Sequence, residues 1–350
     1  MLPLVSRLVS LLLPLLLSLI VCGLIIALSG GDPAEALAAL VVGAFGSAEG
    51  IASTLMKATP LMLVGLGVAF GLRAGLFNIG GEGQLYVGGI AAAAVGAWLG
   101  LPWLFHLPLT LLAGACAGGV WGAIPGWLKA RRGVHEVINT IMLNYIAIHL
   151  ADYLVNGPMA AGAAVSQTRP IAATATLPLL WSVPPTGVGY GLLIAMALCG
   201  LFYVILFDTP FGYEARAVGH NPEASRGGGI DVGRVTVRAL ALSGALAGLA
   251  GAVEVCGVHR TLYAQFSPGY GFDGIAVALL ARNHPLGVIP AALLFGGLRT
   301  ADRFLQLSAG VPRDLVVILQ ALIILFVGAE YVSKTAIQKI LRGRQPSPTP

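Results

Sequence analysis

Long runs of almost wholly apolar residues recur along this chain, and a helix needs about 20 such residues to cross a bilayer. The runs lie at Leu8–Leu28, Ile51–Leu72, Gln84–Leu99, Leu104–Leu128, Val137–Val155, Tyr190–Phe207, Val235–Val255 and Leu315–Gly328, with an interrupted one at Phe272–Arg299. Charged residues make up 10% of the 350 residues and hydrophobic ones 57%, whereas a soluble domain carries about a quarter charged. The fold class that follows is all-α, a polytopic membrane helix bundle forming a single domain over residues 1–350. The 48 glycines suit helices that pack closely in lipid. The first run, behind Arg7, reads as an uncleaved span because it is too long for a signal peptide and no convincing small-residue cleavage site follows it.

A sequence pI near 9.2 would fit nucleic acid, but the basic residues stand at the ends of apolar runs, as membrane topology requires. Lys129, Arg131 and Arg132 form one basic connection, Arg216, Arg226, Arg234 and Arg238 a second, and Lys334, Lys339, Arg342 and Arg344 a third. Placing these and Arg7 in the cytoplasm makes Asn156–Gly189 external. Parity then asks for ten membrane segments with both termini inside, which holds when Phe272–Arg299 is two short segments broken at Arg282–Pro285. Broken helices are tolerated where backbone is buried in protein or lines a cavity. The four cysteines lie in apolar stretches without metal or redox spacing and read as small packing residues.

Three segments depart from span or linker. Residues Gly75 to Gln84 interrupt apolar sequence with four glycines, Asn78, Glu82 and Gln84. They read either as a tight cytoplasmic turn with Glu82 at the water interface or as an unwound segment lining a transport path. A carboxylate at membrane depth costs about 2.5–3.5 kcal/mol on insertion scales, so it needs a partner or a role. Residues Glu254 to Asp273 echo the first segment, with Phe266, Ser267 and Tyr270 among closely spaced glycines. Matched interruptions of this kind suggest an internal repeat with a binding region between its halves. The path residues selected on this basis are Phe77, Asn78, Glu82, Gln84, Phe266, Ser267 and Tyr270. Glu254 and His259 are either structural hydrogen-bonding groups or members of the path. In the polar loop 208–234, Asn221-Pro222-Glu223 reads as a helix cap, a first-position proline and a first-turn acid. The short helix would end at Gly227-Gly228-Gly229, and the loop is either a plain linker or an element for a motor to grip.

Four blocks carry a resemblance: FNIGGEGQLYVGG at Phe77–Gly89, EVINTIMLNYIA at Glu136–Ala147, RAVGHNPEASRGGGI at Arg216–Ile230 and FSPGYGFDGIAVALLARNHPLGV at Phe266–Val288. Together they resemble the membrane subunits of bacterial ABC importers for simple sugars and nucleosides, in the group that includes ribose and branched-chain amino-acid permeases. The second block is similar to that of the longer of two non-identical subunits. The resemblance implies a permease in the bacterial cytoplasmic membrane that moves a nucleoside or simple sugar. It implies as partners a second, non-identical permease subunit, a cytoplasmic ABC ATPase and an extracytoplasmic solute-binding protein. It further implies that Tyr213–Arg226 contacts the ATPase, which singles out Glu214, Arg216, Gly219, Asn221, Pro222 and Arg226. The chain departs from the family pattern at Arg226–Gly229, where a bulkier residue more often breaks the glycine run.

Two other classes compete. A membrane enzyme would need a catalytic constellation, yet His135-Glu136 lacks the second histidine of a zincin helix and no Gly-x-Ser-x-Gly occurs. A secondary transporter would place a partnered ionisable group mid-span, whereas Asp152, Glu254 and His149 sit near span ends. No lysine follows a glycine, so a phosphate-binding P-loop is missing. ATP would be hydrolysed by a partner, with no cofactor or metal bound by this chain.

Overall fold

The computed structural model describes residues 16–28, 31–162, 165–308 and 315–326. The helices are α1 (Leu16–Leu28), α2 (Pro33–Phe45), α3 (Ala48–Arg73), α4 (Gly81–Trp98), α5 (Trp103–Arg132), α6 (Glu136–Asn156) and α7 (Gly191–Asp208). Then follow α8 (Pro210–His220), α9 (Pro222–Gly227), α10 (Val232–Val253), α11 (Tyr270–Leu280), α12 (Val288–Ser308) and α13 (Leu315–Phe326). Helices α3, α5, α6, α7 and α10 are long and apolar enough to cross a membrane, α11 and α12 form a bent pair, and α1, α2 and α13 are shorter apolar helices. The architecture is therefore an all-α membrane bundle, with one small antiparallel hairpin of β1 (Leu179–Val183) and β2 (Thr186–Gly189).

Two compact units divide the chain. In the first, which takes the residues before Ala44 and from Ala301 onward, Cys22, Ile26, Ala36, Leu305, Leu315 and Leu319 are buried. The second, Ala44–Thr300, holds both interrupted segments and is organised around α10, which packs against α3, α4 and α5.

Glycine sets that packing. Gly114, Gly118, Gly122 and Gly126 recur every fourth residue of α5 and make one stripe along it. Gly114, Gly118 and Gly122 meet Gly244 and Gly248 of α10, so closely that a Cβ on Gly118 or Gly248 would overlap the other helix's backbone, and Gly126 meets Val237. Gly88 of α4 closes on Gly248, and Gly251 of α10 closes on Leu85. Lipid tails are as apolar as the helices, so these surfaces associate by close van der Waals contact, and small residues permit the approach. A matching crossing joins α3 to α11, where Gly65 and Gly274 each pack on the other helix.

Local chemistry fixes the ends. Ser47 Oγ accepts from Gly50 N at 3.0 Å and starts α3, and Asp231 Oδ1 accepts from Arg234 N at 2.9 Å and starts α10. Gly133, at φ 67°, closes α5. The expected break at Arg282–Pro285 is present, with Arg282 and Asn283 both left-handed, at φ 52° and 56°. The helix expected from Pro222 is α9, and its Asn221 side chain accepts from Glu223 N and Ala224 N, both at 3.0 Å. Helices α2 and α8 were not anticipated. The first is flanked by Gly30, Gly31 and Gly46, which split its apolar signal from the runs on either side. Glu82 and Gln84, placed by the sequence in an unwound segment, instead open α4, because α4 begins at Gly81. Arg7 and the basic group Lys334, Lys339, Arg342 and Arg344 lie outside the described residues.

Substituting Gly248 by Ala should lower the unfolding temperature of the detergent-purified protein, by a loss of about 1–3 kcal/mol typical of overpacking. Gly200→Ala, at a helical glycine with open space beside it, should leave it unchanged or slightly raised, as a thermal-shift assay would read.

Candidate functional site

The two interrupted segments meet inside the second unit, through Glu82 and Gly271, 189 residues apart in sequence. Helix α3 ends at Arg73, and Arg73 Nε donates to Asn283 O at 2.8 Å, beside the break after α11. From there residues 74–80 turn back along α3, and Gly81 packs on Val64. Val64 lies nine residues before Arg73, about 13 Å along the helix, so α4 starts deep within the bundle. Irregular backbone at this depth is tolerated only where protein or water covers it.

The buried Asn78 side chain and the backbone at Ile79, Gly80 and Gly83 are hydrogen-bonded. Asn78 Nδ2 donates to Gln84 Oε1 at 2.8 Å and to Ser243 Oγ at 2.9 Å, while its Oδ1 accepts from Gly80 N at 2.9 Å and Gln84 Nε2 at 3.2 Å. Gly83 N donates to Asn144 Oδ1 at 2.8 Å, and Asn144 Nδ2 donates to Ile79 O at 2.9 Å. Asn78, Glu82 and Gln84 are at most 3% exposed, which removes the reading of Glu82 as a water-interface residue.

Glu82 bridges the segments. Its Oε2 accepts from Gly271 N at 2.6 Å, and the Ser267 hydroxyl lies beside the carboxylate. Gly271 belongs to the first turn of α11, whose opening amides lack partners within the helix and carry its positive dipole end. A carboxylate there satisfies a donor and complements the dipole at once. Ser267 Oγ accepts from Gly269 N and Tyr270 N, both at 3.3 Å, and caps the same helix. Phe266 packs edge-on against Tyr86, with ring centroids 5.0 Å apart. Arg299 pairs with Asp273 Oδ2 and donates to Pro268 O at 3.0 Å, and its guanidinium stands 5.1 Å from the Tyr270 ring centroid.

The structure thus brings Asn78, Glu82, Gln84, Phe266, Ser267 and Tyr270 into one buried region, while Phe77 is half-buried beside it. Sequence reasoning missed Ser243, Asn144, Asp273 and Arg299 as members of this region. Asn144 had a signal, because Glu136, Thr140 and Asn144 recur every fourth residue on an otherwise apolar helix. Glu254 begins a π-helical turn, Glu254–His259, and its carboxylate lies 3.4 Å from His259 Nε2. Helical π-turns concentrate at functional sites, and here the turn hands α10 over to the second segment. Among the described residues no three His, Cys, Asp or Glu side chains group as a metal site requires.

The candidates of the loop 208–234 fall on α8 and α9. Arg216 lies 5.2 Å from the Phe207 ring centroid. Gly219 sits against the Arg73 carbonyl and Gly75, where a Cβ would overlap backbone. Glu214 is half-buried on α8. Asn221 and Pro222 start α9, and Arg226 lies in its last turn.

A family model described as the permease component of the branched-chain amino acid transport system matches residues 50–328, and the chain belongs to that family. A guanosine ABC transporter permease of Bacillus subtilis is 42% identical over 96% of this chain and 98% of its own length. A glucose ABC transporter permease of Haloferax volcanii is 39% identical over 90% of this chain and 85% of its own length. A second guanosine ABC transporter permease of Bacillus subtilis is 29% identical over 70% of this chain and 79% of its own length. No solved structure matches. The chain is the permease subunit of an ABC importer, a transport component.

Replacing Glu82 by Ala leaves the Gly271 amide buried without its acceptor, and should destabilise the protein by about 1–3 kcal/mol. Glu82→Gln keeps an acceptor and should lose clearly less. Thermal unfolding of the two purified variants against the parent reads the difference.

Proposed function

We propose that this permease pairs with a second, non-identical permease subunit and conducts a nucleoside or simple sugar inward across the cytoplasmic membrane. A cytoplasmic ABC ATPase drives it and an extracytoplasmic solute-binding protein delivers the solute. The guanosine and glucose permeases among its relatives support the solute class. The occurrence of two guanosine permeases in one organism supports the paired subunit.

The observation that carries the path is the Glu82–Gly271 hydrogen bond, which joins both interrupted segments within the bundle. On this reading Phe77, Asn78, Glu82, Gln84, Phe266, Ser267 and Tyr270 form the solute's route. A nucleoside or sugar presents hydroxyls and, for the nucleoside, a flat ring. Amide, carboxylate and hydroxyl groups match the first, and the Phe266 and Tyr270 rings match the second. The pairs α3–α4 and α10–α11 act as two copies of one internal repeat. In support, α3 packs on α11 through Gly65, as α10 packs on α4 through Gly251. Ten membrane segments with both termini cytoplasmic complete the topology.

Residues 208–234 dock the ATPase through Glu214, Arg216, Gly219, Asn221, Pro222 and Arg226. Gly219 touches the first residues of the turn-back directly, so a push on α8 reaches the path without an intervening linker.

Two experiments test these assignments in the complex reconstituted with its ATPase and binding protein. Asn78→Leu and Ser267→Leu should each reduce uptake of radiolabelled guanosine or glucose about tenfold, the scale of one lost buried hydrogen bond, with complex yield retained. Normal uptake in both would remove the path assignment. Gly219→Ala should lower uptake per ATP hydrolysed while basal hydrolysis persists, whereas Gly227→Ala, beside open space, should change neither. Equal coupling in the two variants would remove the coupling assignment.

A further inference from the structure

Helix α6 is exposed along most of its surface, at Ile138, Met142, Tyr145, Ile146 and Tyr153 among others. Its buried face instead begins with three polar residues, Glu136, Thr140 and Asn144, at 6%, 0% and 2% exposure. Spaced by four, they share one side of the helix. Polar groups buried this deeply are retained only where they are bonded.

Their contacts converge on one stretch of chain. Glu136 pairs with Lys129 Nζ at 2.6 Å, and its carboxylate lies near the Phe77 backbone. Thr140 packs directly against Gly80, whose added Cβ would lie 3.0 Å from the Thr140 Cβ. Asn144 accepts from Gly83 N and donates to Ile79 O. The Gly83 amide is one of the opening donors of α4 that no intrahelical carbonyl can satisfy. Gly80, at the cap position of α4, has no side chain to satisfy it. Asn144 therefore supplies the cap of α4 from another helix.

We infer that Glu136, Thr140 and Asn144 are positioning residues that clamp the turn-back and the first turn of α4, so that α6 sets where the path residues stand. The functional weight of the clamp rests on the proposal that this segment lines the solute path, but the clamp itself is tested without transport. With it intact, the segment is held at Ile79, Gly80 and Gly83 and the first turn of α4 is closed. Without Asn144, the Gly83 amide and the Ile79 carbonyl lose their partners together, and the segment opens locally while the glycine-packed helices stay in place.

The test uses the assembled complex in membrane vesicles, in a background with Cys22, Cys116, Cys199 and Cys256 replaced by Ser and with Ile79→Cys as reporter. Adding Asn144→Leu should raise the rate at which a small maleimide labels the reporter by at least about fivefold, as local opening after two lost hydrogen bonds implies. The exposed-face control Ile138→Ala should leave the rate unchanged. A smaller rise with Asn144→Leu, or an equal rise with Ile138→Ala, overturns the clamp. If Asn144→Leu does not assemble, Asn144→Ser is scored against the same threshold. Labelling responds to the clamp whether or not Asn78→Leu and Ser267→Leu impair uptake, so the clamp and the path assignment fail separately.

Discussion

The rest of the bundle depends on how closely α4, α5 and α10 approach one another at their glycines. In water such helices would be driven together by burying apolar side chains, but in lipid that drive is lost and contact quality decides. Gly88, Gly114, Gly118, Gly244 and Gly248 let three backbones meet where a single methyl group would force one away. The cost is intrinsic helix propensity, about 1 kcal/mol per glycine relative to alanine in water. The approach has a structural consequence beyond packing. It brings the start of α4 against α10, so that Asn78 reaches both Gln84 and Ser243.

That closeness is what allows irregular backbone inside the membrane. The amides of Ala74, Gly75 and Leu76 still bond carbonyls of α3, but beyond them an unbonded peptide group would cost several kcal/mol against lipid. Side chains replace the missing helical partners: Asn78 for Gly80, Asn144 for Gly83 and Ile79, Glu82 for Gly271. A second irregular stretch follows the π-turn of α10, where Arg260 and Gln265 are left-handed. Its backbone is covered by the connection before β1, through Ile171 N to Arg260 O and Thr168 N to Leu262 O, both at 2.9 Å.

The apolar runs made the membrane bundle legible, because a bilayer imposes one length scale on every span. The Asn-Pro-Glu start of α9 was legible for a similar reason, since capping chemistry is local and Asn221 can bond only the amides that follow it. Glycine and carboxylate within an apolar run marked both interrupted segments. The bond that joins them was not legible, because a hydrogen bond between Glu82 and Gly271 depends on helix crossings that periodicity does not encode. Helix α8 was missed because Pro210, Gly212 and Gly219 read as breakers, whereas Thr209 caps it through Gly212 N at 3.1 Å and Gly219 is kept for its contact with α3. Arg299 was missed because its partners, Asp273 and Pro268, lie on the far side of the helix break.

A transport path built from satisfied groups has a particular energetic character. Asn78 makes four hydrogen bonds and Glu82 accepts from Gly271 N, so the segment in this state has little free capacity for a solute. Passage on the proposed route requires exchange, in which solute hydroxyls take the place of protein donors and acceptors one for one. Such an exchange is nearly neutral, since one buried hydrogen bond replaces another, whereas opening the segment with nothing to replace its bonds would cost about 1–3 kcal/mol for each orphaned group. The closed arrangement thus resists leakage of apolar molecules, which offer no replacement bonds. It also keeps solute binding weak, because the solute gains only what the protein gives up. On the proposed coupling, work from outside the membrane sets the direction, and Gly219, packed against Arg73 and Gly75, stands at the root of the same segment.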